Sequence, residues 1–159
     1  MPRRKSRLQR ELRQRKPFGS LRQEAAIAVV RTADRLRWRM ARLVGPLGIT
    51  VQQYNVLRIL RGVGKEGLPT LEIARRMIER TPGITRLMDR LEAKRLVQRE
   101  RCATDRRQVT CWITPQGLEL LERLDQPLSR SEESALGGLA QGDVERLIDL
   151  LERIRKEVG

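Results

Sequence analysis

From Ser20 onward, apolar residues recur at helical spacing: Ala25, Ala26, Val29, Val30, Ala33, Leu36, Met40 and Leu43, with arginines between them, until Gly45-Pro46 interrupts. The pattern predicts a long amphipathic first helix. Thr50-x-x-Gln53 is a capping box that opens a second helix, with Val56, Leu57, Ile59 and Leu60 on its buried side before Gly62 and Gly64. After the "EGLP" segment, Thr70 is expected to cap a third helix carrying Leu71, Ile73, Ala74 and Met77 and ending near 78–80. Thr81 reads as the N-cap and Pro82 as the first residue of a fourth helix, in which Ile84, Leu87, Met88 and Leu91 fall at i, i+3, i+4 and i+7.

The period then changes from helical to two. "LVQRERC" and "RQVTCWIT" are extended runs joined through "ATDRR", and the second sets Val109, Cys111 and Ile113 against Gln108, Thr110, Trp112 and Thr114. Thr104 and Asp105 suit the bend because their side chains hydrogen-bond nearby backbone. Thr114-Pro115 starts another helix, with Leu118, Leu120, Leu121, Leu124 and Leu128 as its apolar side, and Gly137-Gly138 separates it from a last one. There Val144, Leu147, Ile148, Leu151, Ile154 and Val158 form a continuous stripe, more than a small domain needs for its own core. The fold class expected is mainly α with a small β-hairpin, an α+β arrangement: a winged helix-turn-helix core flanked by helices at both ends.

Orientation of the fourth helix gives the first functional signal. With Ile84, Leu87, Met88 and Leu91 inward, Pro82, Arg86, Asp89 and Ala93 face outward and Thr85 and Arg90 flank them. Small residues at the helix start (Thr81, Pro82, Gly83) allow close approach to a groove floor, and arginine can bond guanine edges bidentately or hold phosphate. Two readings of Arg86 and Arg90 stand at this point: a solvated face paired in part with Asp89 or Glu92, or the reading face of a recognition helix. The basic hairpin that follows directly favours the second.

Charge narrows the partner. The 159-residue chain carries a formal net charge of +14 with no histidine, a field that attracts polyanions. Residues 1–16 hold eight Lys/Arg against one Glu, whereas residues 115–159 hold six Lys/Arg against ten Asp/Glu, so polyanion binding belongs to the N-terminal two thirds. The opening "MPRRKSRLQRELRQRKP" lacks the apolar spacing to pack a helix face and reads as a mobile basic arm over 1–19, contacting DNA or simply solvated. Aromatic residues make up only 3% of the chain, too few for a platform on which successive single-strand bases stack. Duplex DNA fits better. No apolar run approaches the roughly 20 residues of a membrane span, and no signal peptide is evident, so a cytoplasmic protein with no membrane partner is expected. Absence of histidine removes the usual general base and, with Cys102 and Cys111 too far apart for a CxxC pair, argues against both an enzyme and a zinc site.

These motifs together resemble the MarR family of transcriptional regulators over about residues 50–117. "IARRM…GITRLMDRLEAKRLVQR" is similar to the family's recognition region, and Asp105-x-Arg107, five residues, then Ile113-Thr114 is similar to its wing signature. The chain departs from the family pattern at Arg95, where Gly is common after the recognition helix, and in the turn "IER" before Thr81. If the backbone at Arg95 is left-handed, the residue carries a conformational cost of roughly 1 kcal/mol that Gly avoids.

The resemblance implies a sequence-specific regulator of double-stranded DNA, a repressor released by a small ligand. Thr81, Pro82, Gly83, Thr85, Arg86 and Arg90 would enter the major groove, Arg106 and Arg107 would probe the minor groove, and Asp105 would fix the wing tip. It also implies a homodimer, with residues 20–48 and 115–159 interlocking two copies around the 49–114 DNA-binding domain and selecting a pseudo-palindromic operator. An effector crevice between these parts would have Trp38, Met40, Tyr54 and Met77 as lining residues, although each also reads as ordinary core. No cofactor or metal is expected. Cys102 and Cys111 come directly opposite each other if the hairpin centres between Arg106 and Arg107, which leaves a thiol-redox switch as a minor alternative. An architectural protein that coats DNA without sequence preference, and an adaptor that binds protein through its helical ends, are the other two alternatives.

Overall fold

The computed structural model describes residues 6–101 and 108–159. The chain divides into two compact units, Met1–Arg39 and Met40–Gly159. Its elements in order are α1 (Arg7–Glu11), α2 (Leu21–Val44), α3 (Val51–Val63), β1 (Leu68–Pro69), α4 (Thr70–Arg76), α5 (Ile84–Ala93), β2 (Val97–Arg101), β3 (Val109–Ile113), α6 (Pro115–Leu136) and α7 (Gln141–Val158). This is a mainly helical chain with a small antiparallel sheet, the fold class the pattern predicts.

In the first unit, α1 is a departure from the expected arm without a helix. Ser6 accepts the amide of Gln9 at 3.1 Å and caps the short turn, and Glu11 receives Arg35 of α2 at 2.9 Å. A cap and one longer-range ion pair thus fix a segment whose apolar content is too low to announce a helix.

In the second unit, α3 begins where predicted: Thr50 accepts from Gln53 N at 3.2 Å and its own amide donates to Gln53 Oε1 at 3.0 Å, which is the complete capping box. Its Val56, Leu57 and Leu60 are fully buried and meet Val44, Ile73, Met88, Leu91, Val97, Cys111, Leu121 and Leu124 in one core. Thr114 caps α6 by accepting Gly117 N at 3.1 Å. Arg61 of α3 holds Asp125 of α6 through both carboxylate oxygens at 2.9 Å.

The sheet order is β1-β3-β2, so β3 is central rather than one arm of an isolated hairpin. Register pairs Arg99 with Cys111 and Val97 with Ile113 on one side, and Leu68 with Cys111 on the other. The expected opposition of Cys102 and Cys111 is therefore corrected. The strands pair in a register shifted by three residues from the assumed one, so that Arg99 takes the position facing Cys111; Cys102 itself lies outside the described residues. Cys111 is fully buried, and burial raises its thiol pKa.

Two further expectations change. Thr70 is the first residue of α4 and does not cap it; its hydroxyl donates instead to Val109 O at 3.3 Å, tying α4 to the central strand. Leu71, expected on the buried side of that helix, is 73% exposed. Along α7 no residue is buried, and Ile148, Ile154 and Val158 of the predicted stripe are exposed. No helix among the described residues is long and apolar enough to cross a membrane.

Candidate nucleic-acid interface

The candidate interface comprises α4, the turn after it, α5 and the β2-β3 pair. Extended backbone at Met77 ends α4, earlier than the predicted 78–80. The start of α5 also differs from expectation. Thr81 donates its hydroxyl to Glu79 O at 3.1 Å, so it closes the turn and does not cap the helix. Gly83 holds the N-cap position with φ 86° and ψ 39°, a left-handed conformation that disfavours side-chain-bearing residues. The helical hydrogen bonds then begin with Leu87 N to Gly83 O at 3.2 Å. The predicted start at Thr81-Pro82 is therefore corrected: the helix begins two residues later, with Gly83 as its N-cap.

Leu87, Met88 and Leu91 are buried beneath α5 and Ile84 packs against the same core, as the spacing predicts. That anchorage turns Pro82, Gly83, Thr85, Arg86, Asp89 and Arg90 to the surface, with Thr81 half-buried. Six of the nine predicted DNA-contact residues therefore lie along the turn and one exposed side of α5. The other three, Asp105, Arg106 and Arg107, lie outside the described residues.

Past Ala93 the helix closes in a Schellman motif. Leu96 N donates to Leu91 O at 3.0 Å and Arg95 N to Glu92 O at 2.8 Å, while Arg95 adopts φ 57°. Arg95 thus occupies the left-handed position where glycine is the easier residue, and the buried pair Leu91 and Leu96 supplies the accompanying apolar contact. Lys94 donates to Gly48 O and fastens this end of α5 to the turn before α3.

The electrostatics of the exposed side depend on a residue that the sequence reading missed. Arg99, on β2, reaches across to α5 and bonds Asp89 Oδ1 at 2.7 Å and Glu92 Oε2 through the same terminal nitrogen, with its Nε on Glu92 at 3.0 Å. The hydrogen bonds that Arg99 donates to Glu92 and then to Asp89 raise its pKa above the ordinary value. Neither Asp89 nor Glu92 forms an ion pair with Arg86 or Arg90 among the described residues. A signal for this was present: Arg99 shares strand parity with the buried Val97, and Asp89 with Glu92 places two acids at i, i+3 on an otherwise basic helix.

Beside α5, Thr85 and Arg99 line a cleft of about 700 Å³ together with Leu71, Glu72 and Arg75 of α4 and Gln108 before β3. Glu72 lies between Arg76 at 2.9 Å and Arg75 at 3.6 Å, and its pKa is lowered chiefly by the Arg76 hydrogen bond. Arg75 and Arg76 lie outside the predicted contact set, and their seven-residue helix with one exposed apolar residue gives little periodic signal. Behind the sheet, Trp112 donates its indole N–H to Lys65 O at 3.1 Å and fixes the base of the strand pair.

Of the expected effector residues, Trp38 falls in the first unit and Met40, Tyr54 and Met77 in the second. Met40, Tyr54 and Met77 pack against the core, with Met77 Sδ accepting from Asn55 Nδ2 at 3.6 Å, and burial raises the Tyr54 pKa. Trp38 is 60% exposed, which corrects its reading as core; it lines a shallow depression with Arg31, Asp34, Arg35 and Arg39.

A family model described as the MarR family matches residues 47–108. A protein assigned as the transcriptional regulatory protein for the hcr operon of Thauera aromatica is 28% identical over 110 residues, 69% of this chain and 65% of that protein, so the match spans less than two thirds of that relative. The solved structure of a MarR transcription factor from Planctomyces limnophilus is 42% identical, with 86% of this chain and 98% of that one covered at a TM-score of 0.67. The fold is shared as well with Bordetella bronchiseptica BpsR, whose DNA binding is regulated by 6-hydroxynicotinic acid; identity is 22%, coverage 83% and 98%, and the TM-score 0.71.

Proposed function

The chain belongs to the MarR family, and on that premise we propose that it is a dimeric, sequence-specific regulator of double-stranded DNA, acting as a repressor released by a small ligand. The observation that carries this reading is the exposed side of α5, where Arg86 and Arg90 project from a helix anchored by Leu87, Met88 and Leu91 and no ion pair among the described residues consumes them. Such a helix fits the major groove, where arginine reads guanine edges bidentately. In this reading Thr81, Pro82, Gly83 and Thr85 allow close approach, and Arg106 and Arg107, oriented by Asp105, probe the neighbouring minor groove.

Residues 49–114 form the DNA-binding part, 1–19 a basic arm, and 20–48 with 115–159 the dimer. The unburied stripe of α7, with Ile148, Ile154 and Val158 exposed, supports a second copy as its cover. Two identical readers related by a two-fold axis select half-sites about 10 base pairs apart, and occupancy of a promoter by such a dimer blocks transcription. BpsR, with its DNA binding regulated by a hydroxylated aromatic acid, is the relative that favours release by a small molecule. The net charge of +14 favours a second reading as a DNA-coating protein without sequence preference.

Two variants test the contact assignment in a gel-shift assay. Arg107→Ala weakens duplex binding with no change in unfolding, and Arg86→Ala relaxes base preference at one position per half-site. Wild-type binding by both variants would remove these residues from the interface.

A further inference from the structure

We propose that Arg99 is a positioning residue for DNA recognition: it neutralises the two carboxylates on the recognition helix and so keeps Arg86 free to read bases. The inference rests on the DNA-reading role of α5 proposed above and adds a residue that touches no base itself. Asp89 and Glu92 stand at i, i+3 on α5, where like charges repel, and both are substantially exposed, at 54% and 43% of their side chains. Asp89 also stands at i+3 from Arg86, the spacing at which opposite charges pair along a helix. Left alone, Asp89 would draw Arg86 down onto the helix, and both acids would confront phosphate across the groove.

The geometry forestalls this. Arg99 arrives from β2 with its side chain only 20% exposed and lies between the two acids, one terminal nitrogen on Asp89 Oδ1 at 2.7 Å and Nε on Glu92 Oε2 at 3.0 Å. A planar guanidinium serves two acceptors at once, which a lysine ammonium on a flexible stem does less well. The pair of acids is therefore satisfied from behind, by a side chain rooted in the strand that faces Cys111, while Arg86 and Arg90 are exposed and form no ion pair among the described residues. The same contact joins β2 to α5 and sets the wing strands against the reading helix.

The test compares affinity for a selected duplex with affinity for a scrambled one, because that ratio isolates base reading from general attraction to polyanion. With Arg99→Gln the ratio falls by roughly tenfold or more, the loss of one bidentate base contact, while circular dichroism and thermal unfolding report a folded chain. The triple variant Asp89→Asn, Glu92→Gln, Arg99→Gln recovers most of the wild-type ratio, since no carboxylate remains to capture Arg86. If Arg99→Gln does not fold, Arg99→Lys carries the comparison: its smaller loss is relieved by adding Asp89→Asn. A wild-type ratio in Arg99→Gln overturns the inference, and so does a triple variant as weak as the single one, which would make Arg99 a direct DNA contact or a structural strut. A wild-type chain with no sequence preference overturns the DNA-reading proposal and this inference with it; a preference in the wild type that survives Arg99→Gln overturns this inference alone.

Discussion

Thr114 donates its hydroxyl to the carbonyl of Arg95 at 2.7 Å. The same oxygen accepts Gly117 N at 3.1 Å, and Thr114 N donates to Leu96 O at 3.1 Å. One residue therefore ties the end of α5 to the end of the central strand and to the start of α6.

Thr114→Val keeps the branched shape and removes both hydroxyl bonds, leaving the α6 start uncapped. The expected loss is about 1–2 kcal/mol, read from chemical denaturation at fixed protein concentration. Thr114→Ser retains most of the stability; equal losses from Val and Ser would contradict the capping account.

Arg95 sits at φ 57° in the Schellman motif, and its side chain is exposed. Arg95→Gly relieves the left-handed strain and is expected to stabilise the fold by about 1 kcal/mol. In a chain of this size that corresponds to a rise in melting temperature of roughly 2–4 °C. A decrease would mean that the Arg95 side chain makes a stabilising contact in solution that outweighs its backbone strain.

Gly67 has φ 66° and ψ −179°, and a Cβ built there would stand 2.6 Å from Cε2 of Trp112. Gly67→Ala therefore both strains the backbone and displaces the indole from Lys65 O. The expected cost is at least about 2 kcal/mol, with a shift in Trp112 fluorescence measured in a Trp38→Phe background. An unchanged spectrum would show that the indole is not seated on this glycine.

Burial raises the pKa of Cys111 and of Tyr54, the latter against the lowering influence of Arg58 and Arg61. Both groups are neutral when protonated, so the folded chain holds these protons more tightly than the unfolded one. The stability they contribute is fully present below their ordinary pKa values and is lost as pH rises through the folded ones. Unfolding free energy should accordingly fall from about pH 9 upward, and native Cys111 should resist alkylation at neutral pH. Rapid modification of Cys111 in the folded protein would contradict its burial.

Local interactions made much of the fold legible. The Thr50–Gln53 box and the Thr114 cap each lie within one helical turn, and the Ile84, Leu87, Met88, Leu91 repeat reports a buried side directly. What escaped the sequence is set by contacts distant along the chain. A two-residue strand at Leu68-Pro69 has no period to detect, and the register that places Arg99 opposite Cys111 depends on packing against β1 and α5. The start of α5 at Gly83 in place of the predicted Thr81 is of the same kind: Thr81 donates its hydroxyl to Glu79 O in the preceding turn and is not left to cap the helix. Within the candidate site, exposed residues of α5 were legible because their neighbours are buried, whereas Arg99 came into view only once β2 was laid against the helix.

Affinity for a duplex selected from a random pool, compared with its scrambled counterpart over a range of salt concentrations, tests the central claim most directly. A sequence-reading dimer recovers a pseudo-palindromic sequence and keeps a preference of about 10³-fold or more as salt rises. One steep salt dependence shared by both duplexes, with no sequence enriched from the pool, would contradict it and leave a basic protein that coats DNA.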